Sequence, residues 1–307
     1  MKLARTLRLP AATSFTLGLI VALFSGCKKS ESAVVSSDQN IQLRYAWNSA
    51  TLVGVYEKAG SKNPAWDPWA KAALVEYARS HCLKLTNEPW SKIIATNCAN
   101  AVRAGCDDPM IEYLYGRFSL DQTNSREVFF EALRKAAQDL QNSSYPSIRK
   151  FRAFLHAGIQ AGCTYGYGTN VPPRVEHLRL WDSAVQNLQE AIQDKTMPAE
   201  DAYEACHALL EEFSGSKEAY RRLFDTLEPA LIKNWPNAAS TWLLKGAAHI
   251  EMAWNGRGGG YANNVTDEGW KVFFAELATA EKALRKSWEM SSNSGRISRR
   301  RSTAFLS

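Results

Sequence analysis

The sequence has few of the short motifs by which enzymes and metal-binding proteins are usually identified. It contains no CxxC or HExxH pattern, no GxSxG nucleophile turn, and no Gly-rich loop that ends in Lys-Ser or Lys-Thr. Such patterns hold zinc, an activated serine or a nucleotide phosphate in the families that use them. No catalytic residue, metal site or cofactor can therefore be named, and we predict that the protein is not an enzyme.

The chain also lacks the pattern of a β-sheet protein. No run of Val, Ile and Thr alternates with polar residues over several positions, so no significant sheet is expected. Beyond the N-terminal segment, no apolar run approaches the roughly 18 residues that suggest a membrane-spanning helix. Hydrophobic residues make up 45% of the 307 positions and charged residues 22%, which is the composition of a globular core.

An excess of charge is missing from the body of the chain. The formal charge is +6, but residues 1–26 contribute three basic residues and residues 291–307 contribute four arginines, with no acid in either segment. The body, 27–290, therefore carries 6 − 3 − 4, or −1. A near-neutral body lacks the basic patch that nucleic-acid binding requires, and no nucleic-acid partner is expected.

The N-terminus has the layout of a secretory signal, with basic residues followed by an apolar stretch and then LFSGC. Ser25 and Gly26 before Cys27 resemble the lipobox of bacterial lipoproteins. The resemblance implies that residues 1–26 are removed, and that Cys27 receives a diacylglycerol thioether and an acyl chain such as palmitate on its amine. An ordinary signal peptide with a coincidental cysteine is the alternative.

The position after the cysteine bears on where such a lipoprotein would reside. Lys28 stands where lipoproteins retained at the inner membrane of enteric bacteria carry Asp. The resemblance therefore favours the periplasmic side of the outer membrane, if the host has one. Residues 27–40 are Ser-rich and polar, and we interpret them as a tether between membrane and domain.

Five cysteines remain if Cys27 carries lipid, and an odd number cannot all pair within one chain. Export permits disulfides without requiring them. At least one thiol is expected to be free or to pair between chains. The sequence leaves open the pairing among Cys82, Cys98, Cys106, Cys163 and Cys206.

The pattern from residue 41 to residue 290 is helical almost throughout. About eleven helical segments are separated by short breaks, with Asp67 and Asp108 as starts before proline and Gly105 as a C-cap. Short connections make consecutive helices antiparallel. We therefore predict an all-α fold of antiparallel helical hairpins stacked as a tetratricopeptide-like α-solenoid, followed by a disordered basic Ser/Arg tail at 291–307.

The last two helices resemble a tetratricopeptide repeat most closely. Trp242, Gly246 and His249 fit the first helix of that repeat, and the second is fitted by Ala280, Leu284, Ser287 and Trp288. The distance from Trp242 to Ala280 exceeds the family spacing by roughly 22 residues. We interpret the surplus as an insert between the two helices.

The predicted insert contains WNGRGGGYANNVTDEGW, residues 254–270. Three consecutive glycines beside Arg257 suggest a phosphate cradle, but the stretch follows a helix and has no Lys-Ser/Thr, which disfavours that interpretation. Thr266 has the position of an N-cap, Trp254 and Trp270 are expected to close the base of the loop, and Arg257 and Tyr261 are expected near its tip. The stretch is either a structural loop or a lip that contacts a partner or ligand through Arg257, Tyr261 and the exposed glycine backbone. The candidate contact residues are Trp254, Arg257, Tyr261 and Trp270.

GRGGGYANNVTDEGWKVF, with AGCDDPMIEYLYGRF and NPAWDPWAKAALVEYA, resembles an uncharacterised family of bacterial proteins built on a tetratricopeptide-like domain of unknown function. The resemblance covers much of residues 63–290. It implies a helical fold and supplies no activity and no catalytic residues.

The histidines do not form a recognisable site. His207 and Glu211 lie four positions apart on one helix, as a metal pair would, but no further ligand motif accompanies them. His156 and His249 are expected to be half-buried packing or hydrogen-bonding residues, and His81 and His177 are expected to be exposed.

Two functions from different classes are compatible with these features. The first is a membrane-anchored extracytoplasmic scaffold that binds an unidentified envelope protein or peptide through its helical array. The second is a glycan-binding or glycan-processing envelope protein that uses exposed aromatic side chains. The lipobox, the hairpin series and the lack of catalytic motifs favour the scaffold.

Overall fold

The computed structural model describes residues 32–60, 62–82, 89–120, 125–166 and 173–304. The predicted signal peptide, 1–26, and the predicted lipid site at Cys27 lie outside the described residues. Regular structure in the described ranges is helical and includes no strand, which confirms the predicted all-α class. Within the same ranges, no helix is long and apolar enough to cross a membrane.

Eleven α-helices are described, and a 3-10 turn at Ala262–Asn264 precedes the last of them. In chain order they are α1 Ser32–Ala59, α2 Asp67–Ser80, α3 Trp90–Arg103, α4 Pro109–Ser119, α5 Arg126–Gln141, α6 Ser147–Tyr165, α7 Pro173–Ala191, α8 Ala199–Glu212, α9 Lys217–Asn234, α10 Ala239–Arg257 and α11 Asp267–Ala304.

The helices stack as consecutive hairpins. Every helix packs against the next along the chain, and α2 also meets α4, α6 meets α8, and α8 meets α10. The even-numbered helices, hereafter the inner layer, are thus neighbours of one another as well as of their sequence partners. This arrangement confirms the predicted solenoid-like stacking. Its buried apolar side chains form one continuous core from Leu52 to Met252.

Helix α1 lies against the inner layer and ties several of its helices together. Asn48 donates to Asp201 of α8 at 3.0 Å and accepts from Arg149 of α6 at 2.6 Å. Tyr56 donates to Asp67 of α2 at 2.7 Å. Helix α1 also packs against α11, so the first and last described helices are in contact.

Two segments predicted to be irregular are largely helical. Helix α1 begins at Ser32, inside the predicted tether of 27–40, and α11 continues to Ala304, inside the predicted tail of 291–307. Most residues in these stretches cost at most about 0.7 kcal/mol relative to Ala in a helix. Once packing has formed the adjoining turns, extension adds one backbone hydrogen bond per residue, and a polar composition does not stop it.

The helix ends at one corner follow the sequence signals closely. Asp108 accepts hydrogen bonds from the backbone N–H groups of Met110 and Ile111 at 2.9 and 3.2 Å, which is the N-cap expected before proline. Gly105 has φ +95° after α3, and the Cys106 N–H donates back across it to α3. The left-handed conformation explains the glycine, since other residues adopt it at a cost.

The prediction that Asp67 caps α2 is wrong. Asp67 is the first helical residue, and the N-cap is Trp66, whose side chain makes no cap hydrogen bond. The Asp67 carboxylate instead accepts from the hydroxyl of Tyr56 in α1, and this hydrogen bond lowers the pKa of the carboxyl. A tertiary contact thus replaces the local one, which the Asp-Pro pair alone could not reveal.

The residues that fit the repeat pattern lie where α10 and α11 approach each other closely. A Cβ placed on Gly246 would lie 2.5 Å from the side chain of Leu284, so only glycine allows the two helices to pack at this distance. Near the other end of the hairpin, the Ser287 hydroxyl donates to the Ala239 carbonyl at 2.8 Å. Gly246, Leu284 and Ser287, which fit the repeat pattern, therefore lie at the contact between the two helices.

The prediction that roughly 22 inserted residues form a loop between these helices is wrong. Helix α10 continues to Arg257 and α11 starts at Asp267, so only residues 258–266 connect them. The surplus lengthens both helices, which remain in contact because Gly256 packs directly on Val272. An amphipathic pattern predicts that a helix is present more reliably than it predicts where the helix ends.

Gly246→Ala is expected to lower the free energy of unfolding by about 1–3 kcal/mol, because the added methyl group overlaps Leu284. Urea denaturation measures the change. The control is Gly259→Ala, since a Cβ at Gly259 meets nothing within 4 Å. If Leu284→Ala is added to Gly246→Ala, the two losses should not add, whereas additive losses would contradict the close approach.

Candidate functional site

The turn between α10 and α11 is a glycine turn held at both ends. Gly258 and Gly260 have φ values of +80° and +103°, a conformation that favours glycine. At the far end, the Thr266 hydroxyl accepts from the Gly269 N–H at 3.0 Å, which confirms Thr266 as the N-cap of α11. The turn therefore places α11 and its first aromatic residues against the end of α10.

Arg257 occupies the base of this turn and not its tip, contrary to the sequence prediction. Its guanidinium carbon lies 5.5 Å from the ring centroid of Trp254 and 5.2 Å from that of Trp270. The same group donates to the carbonyl oxygens of Gly258 and Gly260 at 3.3 and 3.4 Å. Arg257 thus links both tryptophans to the glycine backbone, with cation–π contacts of about 0.5–2 kcal/mol each.

Two phenylalanines extend the contact between the tryptophans. Phe273 meets Trp254 edge to face at 5.1 Å and Trp270 at 5.7 Å, while Phe274 stacks on Trp270 at 5.7 Å. We call Trp254, Trp270, Phe273 and Phe274 the aromatic end cluster. Sequence analysis missed the two phenylalanines, although the WKVFF pattern directly after the cap was a signal for them.

Part of this end of the hairpin is open to solvent. Phe274 is 62% exposed and Trp254 is 44% exposed, whereas Phe273 is buried. Tyr261 is 84% exposed and lies in the turn away from these rings, as predicted. Of the four predicted contact residues, the structure brings together Trp254, Arg257 and Trp270 and leaves Tyr261 at the tip.

The phosphate-cradle interpretation gains nothing from this geometry. A phosphate site at a glycine loop uses backbone N–H groups, which are the positive ends of the peptide dipoles. Here the carbonyl oxygens of Gly258 and Gly260 point to a guanidinium within the chain. The arginine is therefore engaged in holding the turn.

A second group of polar side chains, which sequence analysis did not single out, lies between α1 and the inner layer. Arg149, Arg152 and His156 of α6 have i, i+3, i+7 spacing, which places them on one helix face. Arg149 is only 1% exposed and donates to Asn48 and Thr51 of α1 at 2.6 and 2.7 Å. This row of basic residues on one face of α6 was the available sequence signal.

Helices α2 and α4 complete this region. The Tyr113 hydroxyl of α4 lies 2.6 Å from His156 Nδ1, and Arg117 contacts both residues. His81, the C-cap residue of α2, packs edge to face with Tyr77 of that helix at 4.6 Å between ring centroids. We call His81, Arg117, Arg149, Arg152 and His156 the interior basic cluster.

The acidic groups nearest this cluster are engaged by another arginine. Asp201 of α8 accepts from Arg44 at 2.8 Å, and Glu204 lies 2.9 Å from the same guanidinium. Among the described residues, no carboxylate lies within 4 Å of Arg117, Arg149 or Arg152. Sequence analysis could not pair these charges, because they come from five helices.

Burial sets the protonation of the cluster. It lowers the pKa of His81 and of His156 well below the usual range, and the positive charges of nearby arginines, Arg152 among them, lower both further. Burial also lowers the pKa of Arg149 to about 10. At neutral pH the imidazoles are therefore uncharged, while the arginines keep their charge.

The histidine predictions are partly wrong. His81 is half-buried, and its buried Nε2 atom has no partner among the described residues. His177 is half-buried, lying 3.1 Å from the Gly158 carbonyl and accepting from Trp181 at 2.8 Å. Both were expected to be exposed, but helix periodicity does not say which flank meets a neighbouring helix. His156 and His249 are half-buried and hydrogen-bonded, as predicted.

Neither the metal pair nor the cysteines form a reactive centre in the described part of the chain. His207 and Glu211 lie 3.6 Å apart, but no group of three potential metal ligands occurs there. The five cysteines whose pairing the sequence left open are free thiols. Burial raises the pKa of Cys82 and Cys106 to about 11 and that of Cys206 to about 12. Thiols with raised pKa values are poor nucleophiles.

Acidification is expected to destabilise the fold through His81 and His156. Because their folded-state pKa values lie below about 6.5, the unfolded chain takes up protons first. Their contribution is complete above pH 6.5 and declines below it, by at most about 1.4 kcal/mol per pH unit for each histidine.

Urea denaturation of the wild type, His81→Gln and His156→Gln between pH 7.5 and 5.5 measures this dependence. Each variant should lose less stability on acidification than the wild type does. His207→Gln, at the surface beside Glu211, is the matched control and should follow the wild type. Parallel pH curves for all four proteins would contradict the assignment.

Comparisons with protein-family models, with curated proteins and with solved structures find no match to this chain. The resemblance to the tetratricopeptide-like family therefore remains a hypothesis that rests on the quoted residues.

Proposed function

We propose that this protein is a membrane-anchored extracytoplasmic scaffold that binds a protein partner through the aromatic end cluster and Tyr261. The single observation that carries the proposal is the exposure of Phe274 and Trp254, at 62% and 44%, beside a Tyr261 that is 84% exposed. Aromatic side chains dominate the binding energy of protein interfaces.

The way in which these rings are held supports the proposal. Trp254 and Trp270 are fixed by Arg257 and Phe273, and the turn that joins their helices is pinned by the same arginine. Aromatic groups that are already ordered lose little conformational entropy when they are covered. Phe274 and Tyr261 would supply contact area, while Arg257 would keep the aromatic end cluster ordered.

The glycan alternative has less support from this geometry. Sugars stack on an open aromatic face, but the ring of Trp270 is already contacted by Arg257 at 5.2 Å and by Phe274 at 5.7 Å. Trp254 is likewise covered in part by Arg257. Saturable quenching of tryptophan fluorescence by a sugar, lost in Trp254→Ala, would favour the alternative.

The proposed anchor concerns residues outside the described ranges. Helix α1 begins at Ser32, only five positions after the predicted lipid site at Cys27. Five extended residues span at most about 18 Å. The proposed scaffold would then be held close to the membrane surface, on the periplasmic side of an outer membrane if the host has one.

Site-specific photocross-linking in the cell of origin tests the partner surface. A benzoylphenylalanine at position 261 or 274 should give a discrete protein adduct, because these side chains are the most exposed of the proposed surface. Position 128 is the matched control, since Val128 is 55% exposed on α5, away from the α10–α11 turn. Adding Trp254→Ser should weaken the adduct at position 261. Equal adducts at positions 128 and 274, or none at 261 and 274, would count against the proposal.

Metabolic labelling with an alkyne fatty acid tests the anchor. The wild type should incorporate the label and fractionate with membranes, and Cys27→Ala should lose the label. Cys163→Ala is the matched control, because Cys163 is an exposed free thiol in the described part of the chain. Undiminished labelling of Cys27→Ala would refute the lipoprotein assignment.

A further inference from the structure

The interior basic cluster contains more positive charge than the protein itself compensates. Burial, and then the positive charges of Arg152, Arg149, Arg117 and Arg44, lower the pKa of His81. Of these four arginines, only Arg44 forms ion pairs within the described residues, with Asp201 and Glu204. Four positive and two negative charges leave an excess of two. Arg149 is buried, and Arg117 and Arg152 are half-buried. Removing a charge from water without a counter-ion costs free energy, so an anion at this place would stabilise the cluster.

The unused hydrogen-bonding atoms of this region include donors on arginine. The Nε atom of Arg149 has no partner among the described residues, although the residue is only 1% exposed. Nε2 of His81 is likewise buried without a partner. Arg152 is half-buried, and its guanidinium lies 6.0 Å from the ring centroid of Phe151, without an ion pair within the described ranges. A guanidinium can only donate, and a neutral imidazole can donate from one ring nitrogen.

The surrounding contacts hold these donors in place. Arg149 is fixed by Asn48 and Thr51 of α1 and lies 5.4 Å from the ring of Trp47. His156 is fixed by the hydroxyl of Tyr113, and Arg117 contacts both. The cluster is therefore built from α4, α6 and the end of α2, and α1 holds Arg149 in place.

We propose that the interior basic cluster is a binding site for a small phosphate dianion, held by Arg149, Arg152 and Arg117 with His81 as an additional donor. A dianion matches the excess of two positive charges, and planar guanidinium groups bind oxyanions through paired N–H donors. The burial of Arg149 beneath α1 requires a small soluble anion and does not suit a lipid headgroup. This site is independent of the partner surface proposed above.

Titration with inorganic phosphate tests the site, with ionic strength held constant by chloride. The wild type should show saturable heat in calorimetry and a rise in melting temperature, since a ligand that binds only the folded state stabilises it. Arg152→Met should bind phosphate at least tenfold more weakly. In chloride alone, Arg152→Met should be no less stable than the wild type, because it removes an uncompensated charge and keeps the length of the side chain.

Control variants separate a specific site from a general salt effect. Phosphate stabilises many proteins by exclusion from their surface, and that effect would be the same in every variant. Arg285→Met, at an exposed pair with Glu281, should keep the wild-type response. His81→Gln, which retains a donor, should weaken binding less than Arg152→Met does.

Several outcomes would overturn the proposal. An equal phosphate response in the wild type and Arg152→Met would show exclusion only. Loss of stability of Arg152→Met in chloride, with no phosphate binding by the wild type, would show a structural cation. Saturable binding of succinate in preference to phosphate would replace the phosphate with a dicarboxylate. Binding only to vesicles that contain phosphatidic acid would indicate a headgroup site.

Discussion

The buried contact among Asn48, Arg149 and Asp201 is the interaction on which the arrangement of the helices most depends. Asn48 is completely buried, donates to Asp201 and accepts from Arg149, and thereby joins α1 to α8 and α6. Leaving any one of these groups without its partner costs about 1–3 kcal/mol, or more for a charged group. Apolar packing alone would tolerate small shifts of α1 along the inner layer, whereas these hydrogen bonds fit a single register.

The position of α1 changes where a partner could bind. In an open array of helical hairpins, the inner face is the usual surface for a peptide. Here α1 covers part of that face with Leu52 and Tyr56, which are fully buried, and with the polar residues around Asn48. A protein partner is therefore better accommodated at an end of the array. The aromatic end cluster is at such a position, because α10 and α11 close the series of hairpins.

Sequence analysis succeeded where the determinant was local. The N-caps at Asp108 and Thr266 and the C-cap glycine at Gly105 each depend on residues within one helix end. It failed for Asp67, whose carboxylate is taken by Tyr56, and for Arg257, whose guanidinium lies between two tryptophans. Those partners are set by tertiary packing. The interior basic cluster was missed for the same reason, since its side chains come from separate helices and only the α6 stripe was visible in sequence.

The two clusters place different demands on the same scaffold. At the aromatic end cluster, the Arg257 guanidinium contacts two aromatic rings and donates to two carbonyl oxygens, so its charge interacts with groups of the chain itself. The interior basic cluster leaves its charges without carboxylate partners in the described chain, and the cost rises as burial increases. Helix α1 contacts Arg149 of this cluster and also packs against α11. An anion that neutralises the arginines would therefore stabilise the packing of α1.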